Sequence, residues 1–540
     1  MAKAKAVAEE KGAEKFMLLP VLVLILAQMG TSGDNGALSL AATALTQDLG
    51  ATTADIQLAN MVYSLMAGAF MIAGGMMGTI IGWKKNFRMG ALLCAAGEVV
   101  LAVSPNMTVF IWGGRTLVGF GASFMIPSVL GLVPKIYHGK NRVLAFGCIG
   151  AASGLSALLP LLLSIVLMAA GMRVTFFVLA AYFVLVFLLS FKLPEIEQSD
   201  EKLKFDGVGV ALAATGLFLF LVGVSRISAW GLVEPFPACP FTIAGISPCL
   251  PMAVLGVIIL IVMINVEKKV EEKNGFALLP QSFLKTPQVL AGLAASAITF
   301  FFMGVQSILM APYLQLVAGW SPAIVGVLSI VVGVPTFAFS IGIPKFMPKA
   351  NPRRVIQVGY LTLAAALIIM AFSVTLDAAS MPGILIGCVV AGSGAGIVSA
   401  QANNVVALAV NERDASQSGG IQTTMRNVGQ AIGIALLGAV LLFGITNSVK
   451  DAAANDSRIS ESTVAAISER NIDLVSDENF RASIEDIDMS DEERDALVEI
   501  NAQSRFNSTR FAYYVGAAII VLGLATTPAI KKFSKEESRS

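Results

Sequence analysis

Apolar residues occur along the chain in long runs, and polar residues gather in short stretches between those runs. A helix that crosses a bilayer needs about 20 consecutive, mainly apolar residues. Runs of that size, separated by charges, Pro or Gly, predict fourteen membrane-spanning helices. Their expected positions are 16–45, 55–82, 87–104, 107–134, 144–170, 174–193, 207–227, 250–266, 288–317, 322–346, 354–375, 382–410, 418–447 and 510–530.

Basic residues are distributed unevenly between the connections of these helices. Lys84, Lys85 and Arg88 follow helix 2, and further Lys and Arg clusters occupy every second connection after it. The short loops in between hold almost none. Because Lys and Arg concentrate in the cytoplasmic loops of membrane proteins, the pattern predicts that both termini are cytoplasmic.

One connection, residues 448–509, is much longer than the others and is polar and acidic. Long loops do not follow the charge rule, so this segment is expected on the extracytoplasmic side, between helices 13 and 14. We predict a small folded hairpin or cap rather than disorder, because its apolar residues have a spacing that permits short amphipathic helices. These residues are Ile484, Ile487, Met489, Leu497 and Ile500.

The fourteen predicted helices divide into groups of six, two and six. Charged stretches flank helices 7 and 8, which separates an N-terminal six-helix bundle (1–195), an inserted helix pair (196–275) and a C-terminal six-helix bundle (276–540). Secondary transporters use two such halves to expose one site near the middle of the bilayer to alternate sides. The pattern therefore favours a transporter with a peripheral inserted pair.

Composition restricts the class of protein. Apolar residues make up 56% of the chain, charged residues 14%, and the net charge is +1, so a membrane protein is indicated and a basic nucleic-acid-binding face is excluded. The chain has one His, no cluster of metal ligands and no P-loop. We therefore expect no metal, no cofactor and no enzymatic activity.

Two cysteines lie ten residues apart in the predicted outer loop between helices 7 and 8. Cys239 and Cys249 would face the oxidising side of the membrane, where a disulfide is possible. Their spacing permits a bond without requiring one, so a disulfide and two free thiols both remain open.

Four local motifs resemble those of one family, the fourteen-helix drug:proton antiporters of the major facilitator superfamily. They are DNGALSLAATAL in helix 1, RTLVGFGASFMIP (115–127) in helix 4, PYLQLVAGWSPAIVG (312–326) in helices 9 and 10, and SGGIQTTMRNVGQAIGIALLGAVL (418–441) in helix 13. The third is the most specific match. The resemblance implies the major facilitator fold and places Asp34 on the family's acidic position.

Other family motifs are altered. In GMMGTIIGWKKNFRMG (75–90), Thr79 and Ile80 replace the Asp and Arg of the superfamily's conformational-switch motif, so the cytoplasmic latch is expected to be weaker or built from other residues. Val118 occupies the usual Gln position of the helix 4 motif, and the helix 5 signature is reduced to LPLLLS. The retained residues of these switch motifs are Gly75, Gly82, Lys84, Lys85 and Pro160.

Three charged residues within predicted helices are the candidates for proton coupling. Charges inside a membrane are costly and by default mark functional sites. Asp34 is either satisfied locally by Ser32 or Asn35, or a protonatable carboxylate of the central cavity, as the resemblance implies. Glu98 is either a second proton site or the structural partner of Arg115. Arg115 is either a fixed anchor or the cation that expels a proton from a neighbouring acid.

Uncharged polar residues and Arg426 form the candidate substrate site of the C-terminal half. Gln422, Arg426 and Gln430 recur every four residues and therefore share one face of helix 13. Contact with substrate and hydrogen bonding between helices are both open interpretations. The predicted cavity residues are Asn35, Gln306, Gln315, Asn403, Asn404, Gln422, Arg426 and Gln430.

The sequence thus predicts a proton-coupled multidrug transporter that exports lipophilic, cationic compounds by alternating access, with Asp34 as the coupling carboxylate. An alternative is a transporter of an organic anion or lipid-like metabolite that uses Arg115, Arg226 and Arg426. A third is a non-transporting receptor whose 448–509 segment binds a partner. We expect a monomer in the bacterial cytoplasmic membrane, with a small-molecule substrate, protons and the lipid bilayer as its partners.

Overall fold

The computed structural model describes residues 16–51, 53–156, 158–195, 206–236, 239–274, 277–347, 349–376, 379–409, 418–468, 470, 472 and 474–531. Helices account for most of these residues, and the β-structure within these ranges is limited to two isolated bridges, Ile243 to Ile246 and Val374 to Ala379. The predicted all-α fold is confirmed.

Fourteen principal helices follow the order of the predicted spans. The first six are α1 Leu18–Leu40, α2 Thr53–Ile81, α3 Trp83–Val103, α4 Thr116–Ile136, α5 Gly139–Leu155 and α6 Leu158–Leu189. The others are α7 Gly207–Ser225, α8 Cys249–Asn274, α9 Pro287–Pro312, α10 Pro322–Phe346, α11 Pro352–Ser373, α12 Met381–Leu408, α13 Ser418–Asn455 and α14 Asp491–Leu522.

Helix length and hydropathy support most of the predicted spans. Within the described residues, 12 helices are long and apolar enough to cross a membrane. The two predicted spans outside that set correspond to α1 and α5, whose apolar stretches are Leu18–Asp34 and Asn141–Ala152. A multi-span membrane protein is therefore confirmed, whereas the count of fourteen spans is not established by this criterion.

The chain divides between the fifth and sixth spans where the predicted spans 144–170 and 174–193 place the division. The chain leaves helical geometry at Gly171, where φ is 81° and ψ is 178°, a conformation that glycine adopts without strain. Segments on both sides of Gly171 pass α1: Ser156 lies against Gly33, and the Tyr182 hydroxyl donates to the Leu26 carbonyl at 2.6 Å. The fifth span thus begins at Gly139 in α5 and continues through the first part of α6, and Gly171 reverses the chain.

Each six-helix half has its own apolar core. In the N-terminal half α4 packs against α2 and α3, and α6 packs against α1 and α3; in the C-terminal half α9 packs against α13, and α12 packs against α10 and α11. Large aromatic side chains such as Phe87 and Phe183 fill the first core, and Tyr360 and Tyr513 lie in the second.

The two halves meet along two seams. At one seam α13 packs against α2 and α4, and at the other α5 packs against α10 and α12. A Cβ atom on Gly420 would lie 3.3 Å from the Gly75 Cα, and Gly147 lies directly against the Ser340 carbonyl. All four residues are near the helix ends predicted to be cytoplasmic, so the close contacts between the halves are on that side.

The inserted pair lies at the edge of the molecule. Helix α7 packs against α8 and also against α2 and α13, where Leu221 lies beside Gly68. Only 17% of an 18-residue apolar stretch of α8 is buried inside the protein, so most of this helix faces outward. The pair therefore covers the α2–α13 seam from outside.

Residues 448–509, called the cap below, are folded. They comprise the end of α13, the short helices Glu461–Ser468 and Asp477–Ser483, and the start of α14. Apolar residues including Ile467, Phe480 and Leu497 are buried in a cluster continuous with the core of the C-terminal half. On the surface, hydrogen bonds from Arg458 lower the pKa of Asp456 to about 2.

The cysteines of the predicted outer loop are not bonded to each other. Cys249 is buried at the start of α8, and the Cys239 thiol donates to the Phe241 carbonyl at 3.1 Å. Of the two alternatives for this pair, the structure contains two free thiols and not the possible disulfide.

Candidate functional site

Asp34, Glu98 and Arg115 come from different elements and meet inside the N-terminal half. Asp34 lies on α1 and Glu98 on α3, while Arg115 ends a π-helical stretch, Phe110–Arg115, that leads into α4. All three are 0% exposed. The structure therefore brings together the three residues predicted to couple transport to protons.

Several contacts orient Arg115. Its Nη1 donates to the Asp34 Oδ2 at 2.6 Å, and its Nε donates to the Ala59 carbonyl at 3.3 Å. The guanidinium lies 4.7 Å from the centre of the Tyr63 ring, a distance suited to a cation–π interaction. Arg115 thus forms a charge-assisted hydrogen bond with Asp34, whereas pairing with Glu98 was one of the two alternatives for that acid.

Tyr63 is a site residue that sequence reasoning missed. Its hydroxyl donates to the Thr31 carbonyl at 2.7 Å, which links α2 to α1 one turn before Asp34. In the sequence, Tyr63 stands out only as an aromatic residue with a hydroxyl group within an apolar run. Its ring and hydroxyl together fix the distance between Arg115 and the α1 backbone.

Glu98 lies beside the Asp34–Arg115 pair. Its carboxyl group is within hydrogen-bonding reach of the Asp34 carboxyl group. Among the described residues, neither oxygen of Glu98 has a hydrogen-bond donor, and the same is true of Asp34 Oδ1. The cluster thus contains two acids and one base in a site closed to solvent.

A second buried cation lies in the C-terminal half. Arg426 on α13 is 8% exposed, donates through Nη2 to the Asn403 Oδ1 at 2.7 Å, and lies 5.3 Å from the centre of the Phe300 ring. No carboxylate forms an ion pair with it within the described ranges. Both amide atoms of the neighbouring Asn404 are buried without a partner in the same ranges.

The other predicted cavity residues are less closely grouped. Gln422 is buried one turn before Arg426, Gln306 and Gln430 are half-buried, and Gln315 is exposed in the π-helical segment that follows α9. The side chain of Asn35 lies outside the described residues. The structure therefore joins Asn403 to Arg426 and places Gln315 away from that cluster.

The residues retained from the switch motifs occupy the ends of α2 and α3. Gly82 adopts φ of 94° between these helices, and Lys84 donates to the Leu193 carbonyl at 2.8 Å and to the Glu195 Oε1 at 2.6 Å. This hydrogen bond from Lys84 lowers the pKa of Glu195. Lys85 is exposed, and Pro160 is half-buried near the start of α6.

A different residue fastens this end of the bundle. Thr79, at the motif's Asp position, donates only within its own helix, to the Met76 carbonyl at 2.7 Å. Asn86 instead is 0% exposed, and its Nδ2 lies 2.9 Å from the Gly74 carbonyl oxygen, 3.1 Å from that of Phe124 and 2.9 Å from the Ser128 Oγ. Asn86 therefore ties α3 to α2 and α4, a role that sequence reasoning missed.

Comparison with known sequences agrees with this architecture. The profile of the Major Facilitator Superfamily matches residues 24–434. The chain is 27% identical over 432 residues to the probable actinorhodin transporter of Streptomyces coelicolor, with 78% of this chain and 72% of that protein covered. It is 25% identical over 434 residues to the puromycin resistance protein of Streptomyces alboniger, with 78% of this chain and 81% of that protein covered.

A solved structure shows the same fold. The proton:xylose symporter XylE superposes with a TM-score of 0.57 over 97% of this chain and 98% of its own, at 12% sequence identity. The family profile covers most of the chain, from α1 through the inserted pair and into α13 of the C-terminal half. The chain therefore belongs to the major facilitator superfamily, as a multi-pass membrane transporter and not an enzyme.

Proposed function

We propose that this transporter exports lipophilic, drug-like compounds in exchange for protons. Two relatives are named for transport of, or resistance to, antibiotic compounds. The observation that carries the proton-coupling part of the proposal is the solvent-free cluster of Asp34, Glu98 and Arg115. Acids in such a site can bind and release protons as helix movement changes their contact with water.

The seams provide the movement that coupling needs. Contacts between the halves lie at the predicted cytoplasmic ends, at Gly75 with Gly420 and at Gly147 with Ser340. Rocking of the halves about the central region would open these contacts and close the opposite side, which is alternating access. Asp34, on α1, would change its surroundings during that motion.

We propose a cationic substrate because a cation could compete with Arg115 for the Asp34 carboxylate. Substrate binding and proton binding would then exclude each other, which couples the two fluxes. The Arg115 Nη1 lies 2.6 Å from the Asp34 Oδ2, so a cationic substrate would have to displace Arg115 from an ion pair that is already formed.

The coupling proposal is tested in proteoliposomes loaded with a fluorescent lipophilic cation and given a pH gradient. The wild-type protein should move the dye faster with the gradient than without it. Asp34→Asn should abolish this dependence, since an amide has no negative charge to balance Arg115 or to bind a cationic substrate. The exposed neighbour of the cluster on α1, changed in Ser32→Ala, is the matched control. Unchanged coupling in Asp34→Asn would contradict the proposal.

A second candidate function is transport of an organic anion. It is favoured by Arg426, a buried guanidinium whose described contacts are the Asn403 amide oxygen and the Phe300 ring. A carboxylate or phenolate on the substrate would supply the missing negative charge.

The two candidates are separated by a panel of aromatic anions and cations in the same vesicles. If the substrate is an anion, Arg426→Gln should abolish its transport, and no cation should be moved by the wild type. Arg510→Gln changes a half-buried Arg on α14 that donates to the Tyr514 hydroxyl, and it should leave transport unchanged. Cation transport that survives in Arg426→Gln would exclude the anion function.

A further inference from the structure

The buried cluster of the N-terminal half contains an unequal number of acids and bases. Asp34, Glu98 and Arg115 are all 0% exposed. With both acids ionised, the cluster would contain an uncompensated carboxylate away from water, which is costly in a protein interior. Charge balance therefore requires one bound proton.

The positions of the two acids decide which of them holds that proton. Asp34 Oδ2 accepts a hydrogen bond from Arg115 at 2.6 Å, a geometry that favours its ionised form. Glu98 has no such donor within the described residues. The acid without a cation is the one that gains by becoming neutral.

The contact between the two carboxyl groups also requires a proton. Glu98 lies within hydrogen-bonding reach of Asp34, and the oxygens left without a donor are both oxygens of Glu98 and Oδ1 of Asp34. An ionised carboxylate only accepts hydrogen bonds, so two ionised groups cannot bond to each other. A proton on Glu98 would convert this contact into a donor–acceptor pair.

The other titratable groups that face Glu98 supply no further positive charge. Asp34 faces it from α1, Tyr63 from α2, Cys94 from one turn earlier on α3, and Arg115 from the segment before α4. Arg115 is the one cation among these described groups. It is hydrogen-bonded to Asp34, and it donates no hydrogen bond to Glu98.

The geometry points to Glu98 as the residue that carries the transported proton, with Asp34 as its hydrogen-bond acceptor and as the partner of Arg115 in this conformation. When helix movement opens the Asp34–Arg115 pair, the O–H bond of Glu98 breaks and its proton passes to water that enters the site. The guanidinium then neutralises the Glu98 carboxylate, and the Asp34 carboxylate is left for a cationic substrate. This inference rests on the proposed proton coupling.

Infrared spectroscopy of the full-length protein in phospholipid vesicles tests the location of the proton. A protonated carboxyl group has a C=O stretching band separate from that of a carboxylate. At neutral pH, Glu98→Gln should remove one component of this band, and that component should shift when the wild type contains ¹³C-labelled Glu. Glu267→Gln, which changes another fully buried Glu on α8, is the matched control and should leave the Glu98 component in place.

A second variant tests the location of the proton even if Glu98→Gln does not fold. Glu98→Asp keeps an acid at this position. The C=O stretching component of this acid should then shift when the protein contains ¹³C-labelled Asp, and no longer when it contains ¹³C-labelled Glu. If the acid band is unchanged in Glu98→Gln, or if the lost component carries the Asp label in the wild type, the proton is not on Glu98 and the inference is overturned.

Transport measurements separate this inference from the proposed function. Glu98→Gln resembles the protonated state, so it should retain exchange of a lipophilic cation across the vesicle membrane and lose acceleration by a pH gradient. If Glu98→Gln still responds to the gradient, Glu98 does not carry the proton. If the wild type itself ignores the gradient, the proposed proton coupling fails, whatever the infrared spectra show.

Discussion

At the level of single residues, Arg115 distinguishes between two acids that look equivalent in the sequence. It contacts Asp34 directly, and Tyr63 and the Ala59 carbonyl fix its orientation. Neither oxygen of Glu98 accepts a hydrogen bond from a described residue. The chemistry of the cluster thus depends on which acid forms the hydrogen bond with the guanidinium. The packing of α1, α2 and the segment before α4 determines that this acid is Asp34.

Residue types predicted part of this site. Asp34, Glu98 and Arg115 could be selected because charges are rare within membrane helices. Tyr63 and Asn86 could not, because neither is unusual for its position: one lies in an apolar run and the other beside two lysines. Their roles depend on the rotation of each helix, which the three-dimensional packing sets and the sequence pattern does not reveal.

Asn86 offers a test of stability at this scale. Asn86→Ala would remove the hydrogen bonds from the Asn86 Nδ2 to the Gly74 and Phe124 carbonyl oxygens, and a typical hydrogen bond contributes about 0.5–1.5 kcal/mol to stability. We expect a lower midpoint of thermal unfolding in detergent. Lys85→Ala, at the exposed neighbouring position, should have little effect; equal midpoints for the two variants would show that Asn86 does not fasten these helices.

At the level of helices, apolar run length predicted the order of the elements because each span must match the thickness of the bilayer. It also placed the division between the fifth and sixth spans at residues 171–173, but it did not identify the residue that turns the chain or the end of α5 at Leu155 within the fifth span. Both spans lie in one long apolar stretch, and the reversal depends on Gly171, one of 50 glycines in the chain. Only its positive φ distinguishes it from glycines that serve helix packing.

At the crossing of α2 and α13, the backbones of the two halves approach closely at a pair of glycines. A Cβ on Gly420 would lie 3.1 Å from the Met71 carbonyl oxygen and 3.3 Å from the Gly75 Cα, with backbone atoms on both sides. We expect Gly420→Val to hold the predicted cytoplasmic ends apart, because backbone atoms cannot move aside as a flexible side chain can.

Spin labels at positions 85 and 345, both exposed at these ends, would measure this opening in a protein lacking its native cysteines. Gly420→Val should shift the distance distribution to longer values. Gly326→Val is the matched control, since a Cβ there has open space around it. An unchanged distribution in Gly420→Val would mean that this crossing does not control closure.

At the level of the whole molecule, the cap belongs structurally to the C-terminal half. Its buried apolar residues are continuous with the core of that half, and Arg505 joins its parts by donating to the Val475 carbonyl at 2.7 Å while pairing with Asp477 at 2.6 Å. Arg505 is 1% exposed. The cap should therefore move with the C-terminal half as one body.

Limited proteolysis can test this attachment. Asp477→Asn would leave the buried Arg505 guanidinium without its carboxylate, and an unpaired buried charge destabilises its surroundings. We expect faster cleavage between residues 456 and 490 than in the wild type. Asp491→Asn removes an exposed pair with Arg494 and should not change the rate; a wild-type cleavage pattern in Asp477→Asn would argue against an anchoring role for this pair.

The position of α7 makes the two seams unequal toward the surrounding lipid. Helix α7 stands outside the contact of α2 and α13, with Leu221 beside Gly68, whereas within the described residues no inserted helix stands over the contact of α5 and α10. A lipophilic molecule dissolved in the bilayer would thus meet a screened entrance on one flank and an unscreened one on the other. For the proposed lipophilic substrate, the inserted pair would make the α5–α10 flank the more accessible side for entry from the bilayer.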